Sequence, residues 1–429
     1  MQTLRDRANR LLRWSERLLG LNMTYITSGS FWTALRFGVS TIVSVASFIA
    51  FGNLLPKEIY GVYSYLISLA GSLNFFVLTG AGTGVMRAFA RGQETILPYA
   101  IRLQLRYNLL ATATIAVAAI YYGFVGNMIF AIALGMLAVV VPLSAVYHTY
   151  EFVLMGKKRF DLIAILSSIS AVFSVLITVL ALFLTHNILI LIGVFSFTSL
   201  VPTIWAHWYV SKDLPKGNPS AEDVSELRRT SLHLTGAGLV GSLAQYLDKI
   251  VLFHVAGAAA LAVYGFALAG PDRIKGLLKN WIGIAQPNFA QRSTQEIRQT
   301  FYRRLGLATL IGASCALIYI VFSSLFFHLL LPKYLTAITY SQVYALGLIV
   351  TPITIYVGLV FNGQNMLKAI YLANITSPAF RIPVFIVCGI LWQTWGLVIA
   401  SLASYTWNAL CSIVIWEIES RRLIKKANV

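Results

Sequence analysis

Charge is what this 429-residue chain has least of: Asp, Glu, Lys and Arg make up 11% of it, against roughly 25% in a soluble domain. Acid is scarcer still, with 15 Asp and Glu beside 33 Lys and Arg. So few charges cannot clothe a water-soluble surface. The 58% of hydrophobic residues also exceeds what a soluble core of this length absorbs, which leaves a multi-pass membrane protein. Cysteine is almost absent: Cys315, Cys388 and Cys411 lie in apolar stretches without ligand spacing, so they read as small buried apolar residues and exclude a disulfide framework. The six histidines (148, 186, 207, 233, 254 and 328) are scattered, and no GxxxxGK[ST] loop occurs. Neither a metal site, nor a catalytic constellation, nor an ATPase of the chain's own is legible. Long hydrophilic loops on the side opposite the N-terminus are missing as well, which argues against an enzyme and specifically against a membrane glycan polymerase or ligase.

What the chain has is apolar runs. Against the roughly 20 residues a spanning helix needs, about twelve spans are expected: 30–53, 59–80, 108–126, 128–149, 162–185, 187–210, 232–255, 257–288, 305–331, 340–361, 371–391 and 394–416. The expected fold is therefore an all-α polytopic membrane protein. Its organisation divides into a basic amphipathic segment over 1–29, a six-helix lobe over 30–210, a linker over 211–231, a second six-helix lobe over 232–416 and a basic tail over 417–429. The first segment spaces Arg5, Arg7, Arg10, Arg13 and Arg17 opposite Leu4, Leu11, Leu12, Leu18 and Leu19. That is a surface-lying helix rather than a cleavable signal. The linker SKDLPKGNPSAEDVSELRRTS is rich in Pro, Gly, Asn and Ser. An even number of spans on each side of it implies parallel halves, and VYSYLIS at 62–68 faintly matches VYGFALA at 263–269.

The net charge of +18 is not a nucleic-acid signature, because the basic residues recur in short tracts between spans. Twenty-five of them fall on the N-terminal side of the membrane and two, Lys57 and Lys333, on the other. The positive-inside rule then puts both termini in the cytoplasm. Six basic residues remain inside spans: Arg36, Lys249, Arg273, Lys275, Lys279 and Arg381. Only the acids Asp248 and Asp272 lie at similar depth. An embedded charge costs about 2.5–3.5 kcal/mol on insertion scales, so these eight residues are the candidate lining of a watered cavity, with no catalytic group and no metal among them. Each has an alternative. Arg36 and Lys279 are placed to snorkel to the interface. Asp248, whose neighbour Lys249 points elsewhere on a helix, is expected to pair with Arg36 or a basic residue of 257–288. In AGPDRIKGLLKNW, Asp272, Lys275 and Lys279 share a helical face while Arg273 turns about 100° away. Gly270-Pro271 suits a break with proline opening a new helical segment. The second placement of 271–281 is an interfacial helix on the cytoplasmic side.

Several stretches resemble a known family. GNLLPKEIYGVYSY at 52–65, GTGVMRAFARG at 82–92, LMGKKRF at 154–160 and YLDKIVLFHVAGAAALAVYGFA at 246–267 look like the bacterial polysaccharide transporters. These are lipid-linked oligosaccharide flippases of the MATE-like multidrug/oligosaccharidyl-lipid/polysaccharide (MOP) superfamily. The resemblance covers nearly the whole chain. It implies a two-lobed MATE-like fold of twelve helices with a cavity that opens alternately to each side of a bacterial inner membrane. The implied substrate is an undecaprenyl-pyrophosphate-linked oligosaccharide, a repeat unit of O-antigen, capsule or exopolysaccharide, carried from the cytoplasmic to the periplasmic leaflet. Membrane lipids, a polymerase and a chain-length protein are the implied partners. No cofactor is expected; a proton or a sodium ion is the candidate coupling ion, with Asp248 and Asp272 the embedded carboxylates able to carry it. The other readings are a MATE-like multidrug antiporter, which exports cations and wants an acidic cavity, and a peptidoglycan-precursor flippase, which shares the cationic one.

Overall fold

The structure, a computed structural model, describes residues 23–215, 217–283, 289, 293–364 and 366–427. The expected amphipathic segment lies, except for its last residues, outside the described residues. Among these residues there is no strand. The helices of the first half are α1 (Met23–Leu54), α2 (Lys57–Leu73), α3 (Gly80–Ala90), α4 (Leu97–Phe124), α5 (Met128–Tyr147), α6 (Thr149–Gly156), α7 (Phe160–Leu184) and α8 (Ile188–Ser211). The second half holds α9 (Ala221–Gln245), α10 (Leu247–Gly283), α11 (Thr294–Leu330), α12 (Ala337–Ala345), α13 (Gly347–Gly363) and α14 (Leu367–Ala427). Nine described helices or continuous helix groups are long and apolar enough to cross a membrane, and the bent pair α2–α3 makes ten. Two of the ten contain a reversal: α10 at Gly257 (φ 82°) and α14 at Gln393 (φ 49°). Counting each arm separately gives twelve crossings, as the apolar runs predict.

The breaks are made where backbone groups find other partners. Between α2 and α3 the chain bends by 61°, and the freed Leu78 N–H donates to Asn108 Oδ1 at 3.1 Å. The same Asn108 donates from Nδ2 to the Pro142 carbonyl at 2.9 Å, tying the bend to α5. Asn108 is buried, so Asn108→Ala should orphan a donor and an acceptor together. About 2–4 kcal/mol of destabilisation is expected, read as a lower unfolding temperature of the detergent-solubilised protein.

The sequence-based break at Gly270-Pro271 is not where the chain breaks. α10 runs through Pro271 to Gly283 as one helix. Pro271 removes the donor that would meet the Ala267 carbonyl, and Ser341 Oγ, buried on α12, supplies one instead at 2.6 Å. A proline whose missing bond is replaced need not end a helix. The reversal falls at Gly257, where a positive φ needs glycine. The region 211–231 is likewise only partly a loop, since α9 begins at Ala221, capped by the Ser220 hydroxyl accepting from Asp223 N–H at 3.1 Å.

The first eight helices form one lobe and the last six another. The largest core cluster runs across both, from Tyr65, Leu66 and Leu134 to Leu252, Phe266 and Tyr334. A second core, around Phe301, Tyr356 and Trp416, lies within the C-terminal lobe. The outer faces carry long, exposed apolar side chains, such as Phe124, Leu184 and Leu329, as a lipid-facing surface requires.

Candidate functional site

α10 carries six of the eight embedded charges and sits where the lobes meet. Its first arm, 247–256, runs antiparallel to α2: Tyr65 stacks on Phe253 with centroids 3.8 Å apart. Its second arm starts against α2 as well, with Tyr60 beside Gly265 and 4.7 Å from the Phe266 ring centroid. Further along, Ile274 and Leu278 pack with Ala316, Ala345 and Leu348 of the C-terminal lobe. Helical periodicity then fixes the opposite stripe. Gly265, Asp272 and Lys279, seven apart, share a stripe turned away from Ile274 and Leu278, which Tyr60 of the N-terminal lobe meets at Gly265, with Arg273 on its flank. Residues 271–281 therefore continue the second arm of α10 without a break, and the stretch Gly238–Asn280 is long and apolar enough to cross a membrane.

The eight candidate residues fall into two groups. Three basic ones are engaged. Arg36 on α1 forms a forked pair with Glu151 on α6, both bonds 2.9 Å. Lys275 is enclosed: its ammonium lies 3.9 Å and 4.0 Å from the ring centroids of Tyr344 and Tyr405 and donates to Tyr405 Oη at 2.9 Å and Asp272 Oδ1 at 3.0 Å. The Tyr344 hydroxyl donates to the same Asp272 oxygen at 2.8 Å and lies 2.7 Å from Tyr405 Oη. Arg381 on α14 rests its guanidinium 4.8 Å from the Phe385 ring centroid, and its Nε is buried without a hydrogen-bond partner among the described residues. The other basic group, Lys249, Arg273 and Lys279, has no ion pair and no hydrogen bond to any described residue; Arg273 and Lys279 are exposed and Lys249 half-buried.

Asp248 corrects a second expectation. It pairs with neither Arg36 nor a basic residue of α10. The Tyr264 hydroxyl donates to Oδ2 at 3.0 Å, and Oδ1 is buried with no partner among the described residues. The reason is the break at Gly257, which folds the second arm of α10 back and brings a residue sixteen positions on to the carboxylate. Ser401 on α14 is beside the same hydroxyl. Sequence reading missed Glu151, Tyr264, Tyr344 and Tyr405. Tyrosines in mid-span were the available signal, because a buried phenol needs a polar partner.

Lys275 is thus a tie between α10, α12 and α14. Lys275→Met should leave Asp272 and two phenols without their shared cation and lower the thermal stability of the protein by about 2–4 kcal/mol. Arg273→Met should leave the unfolding temperature almost unchanged, which separates the two roles in one melting experiment.

The lobes are held at one end of the cleft by α1, whose Asn53 Nδ2 donates to the Leu330 carbonyl at 2.7 Å, while Lys333 Nζ donates to the Asn53 carbonyl at 2.5 Å. Towards the opposite, basic end, α1 packs on α7 and pairs with α6 through Arg36 and Glu151, away from α10. Arg91, in that basic end, donates to Glu226 at 2.6 Å and 2.8 Å and holds its carboxyl below the usual range. No group of three His, Cys, Asp or Glu able to hold a metal occurs among the described residues.

Comparison with known proteins fits this geometry. Residues 26–269 match the family model described as polysaccharide biosynthesis protein. Among solved structures, the chain resembles an inward-facing multidrug resistance MATE family transporter of the MOP superfamily. The two share 15% identity over 92% of this chain and 98% of that one, at a TM-score of 0.68. An outward-facing MATE transporter gives 13% identity over 94% and 96%, at 0.62. A MOP superfamily transporter from Pyrococcus furiosus, described as having a binding pocket of reversed polarity that suggests a different function, gives 14% over 94% and 96%, at 0.57. No curated protein matches the sequence significantly.

Proposed function

Since the chain belongs to the polysaccharide biosynthesis protein family, with 26–269 matching its model, and carries the MATE-type fold of MOP superfamily transporters, we propose that it is a flippase for an undecaprenyl-pyrophosphate-linked oligosaccharide. It carries the head group from the cytoplasmic to the periplasmic leaflet of a bacterial inner membrane. The observation that carries the reading is the set of unpaired cations, Lys249, Arg273 and Lys279, on the helix that borders the cleft. A pyrophosphate leaving water needs opposing charge, and only cations not already spent on internal pairs can provide it without breaking the fold. Arg36, Lys275 and Asp272 hold the walls of the cleft; Lys249, Arg273 and Lys279 meet the phosphates. With the cytoplasm negative, outward movement of anionic charge runs with the membrane field, by about 2.3 kcal/mol per charge per 100 mV.

The multidrug antiporter is the second reading, favoured by the fold of the solved relatives. An organic cation would meet the same unpaired positive charges, which disfavours it. The Pyrococcus furiosus protein offers a precedent, within this fold, for a binding pocket of reversed polarity. A coupling proton or sodium ion would find its place at Asp248, whose Oδ1 is buried and unpartnered. A polymerase and a chain-length protein would take the product on the far side.

The test is reconstitution. Purified protein in liposomes should move a fluorescent undecaprenyl-pyrophosphate-linked oligosaccharide between leaflets, read by loss of accessibility to an impermeant quencher, and should not accumulate ethidium. Ethidium uptake without glycolipid movement would replace this reading with the antiporter.

A further inference from the structure

Within the C-terminal lobe, α10, α12 and α14 enclose a space with the chemistry of a cation site. We propose that it is a binding site for a primary alkylammonium ion, and that the chain fills it with its own Lys275. Lys275 is then a specificity-determining residue. It shuts cationic solutes out of this lobe and balances Asp272, the only carboxylate in the second arm of α10. The inference rests on the flippase reading and deepens it, since it concerns the sign of the solute that the protein accepts.

The hydrogen bonds fix what the site accepts. The Tyr344 hydroxyl gives its proton to Asp272 Oδ1 at 2.8 Å, so the 2.7 Å bond between the two phenols runs from Tyr405 to Tyr344. Tyr405 Oη and Asp272 Oδ1 are left as acceptors converging on one point. Lys275 Nζ occupies that point, at 2.9 Å and 3.0 Å. The two ring faces close on the same nitrogen, 3.9 Å and 4.0 Å from their centroids. A neutral donor would satisfy the acceptors but gain little from the carboxylate charge or the ring quadrupoles. An ammonium uses all of them.

The walls do not depend on the lysine. Tyr344 is 2% exposed and belongs to the core that joins the lobes. The Tyr405 ring lies against Gly347, where a Cβ would come within 2.8 Å of Cδ2. Both phenols are thus placed by helix packing, and shortening Lys275 empties the site without dismantling it. The Asp272 side chain is 51% exposed and that of Lys275 14%, so the carboxylate forms the rim and the ammonium lies within. Attached three residues from Asp272, the ammonium is present at an effective concentration that a dissolved cation does not match. An organic cation finds the site taken. An anionic head group meets Arg273 and Lys279 beside an acid whose charge is already balanced. A tie between three helices needs only a donor, whereas a cation site needs the charge, and that difference is measurable.

Lys275→Ala removes three carbons and a nitrogen, the atoms that propylammonium carries. The unfolding temperature of the full-length variant should fall. Propylammonium chloride should raise it again by about 2–4 °C, saturably, while 1-propanol or sodium chloride at the same concentrations should not. Neither the parent nor Lys275→Ala/Asp272→Asn should respond. No response in Lys275→Ala, an equal response to 1-propanol, or an equal response of the parent overturns the proposal. Lys275→Gln, which keeps a donor between the phenols without the charge, is measured alongside and decides alone if Lys275→Ala is not recovered folded. Stability at the parent's level would show that a donor suffices and overturn the site, and a clear loss supports it. In liposomes Lys275→Ala should move glycolipid about tenfold more slowly, because Asp272 is left unbalanced beside the phosphates, and propylammonium should restore the rate. A rate that propylammonium leaves unchanged overturns the specificity role. A parent that moves no glycolipid faults the flippase reading instead, and leaves the cation site to the unfolding data.

Discussion

Replacing Arg273 and Lys279 together by glutamine should lower glycolipid translocation by about 100-fold or more. A hydrogen bond to a charged group contributes about 1.5–3 kcal/mol, and two such contacts to a pyrophosphate amount to about 3–6 kcal/mol, at roughly 1.4 kcal/mol per factor of ten. The loss should not come through the fold, since neither side chain has an ion pair or hydrogen bond to a described residue and both are exposed. Unfolding temperature and membrane abundance should match the parent. The matched control is Arg102→Gln/Arg106→Gln, which removes two exposed cations from α4. There they share an outward face with the exposed Leu105, Leu109 and Leu110. Translocation should be nearly unchanged in that variant. Equal losses in both would mean that overall positive charge, and not the cleft, matters.

The second large effect is on assembly. Gly61→Ala would place a methyl 1.9 Å from a backbone oxygen of the opposite lobe. Overpacking a close contact costs about 1–3 kcal/mol where side chains can give way, and a carbonyl fixed in a helix cannot. A loss above about 3 kcal/mol is expected, seen as a collapse in monodisperse yield after detergent extraction. Two companion variants grade the effect. In Gly84→Ala the new methyl meets the end of the Leu227 side chain at 2.6 Å, which can rotate, so a smaller loss follows. In Gly265→Ala the nearest atom is a Tyr60 ring carbon at 3.7 Å, an ordinary contact, and stability should be close to the parent's. Similar losses at all three positions would show that helix flexibility, not lobe contact, is what glycine provides there.

Asp248 and Lys275 show how far residue type alone carries. Their presence at membrane depth is legible in sequence, because a charge in an apolar run of about 20 residues stands out against the insertion cost. Their partners are not. Asp248 meets Tyr264, sixteen positions on, only because Gly257 reverses the chain. Lys275 meets Tyr405, 130 positions on, only because α14 packs against α10. Pro271 makes the same point from the other side. A proline after glycine reads as a break, and a serine hydroxyl 74 residues beyond the freed Ala267 carbonyl removes the reason for one.

The sequence by itself determined that this chain is all-helical and membrane-spanning, with about twelve crossings and a cationic embedded set. Each of those properties follows from local composition: apolar length fixes a crossing, and scarcity of embedded acid fixes the sign of the charge. Only the tertiary structure decided which cations are committed to internal pairs and which remain free, because that depends on contacts between residues far apart in the chain. It also decided how the lobes meet, which rests on glycines whose spacing says nothing until two helices are brought within backbone contact.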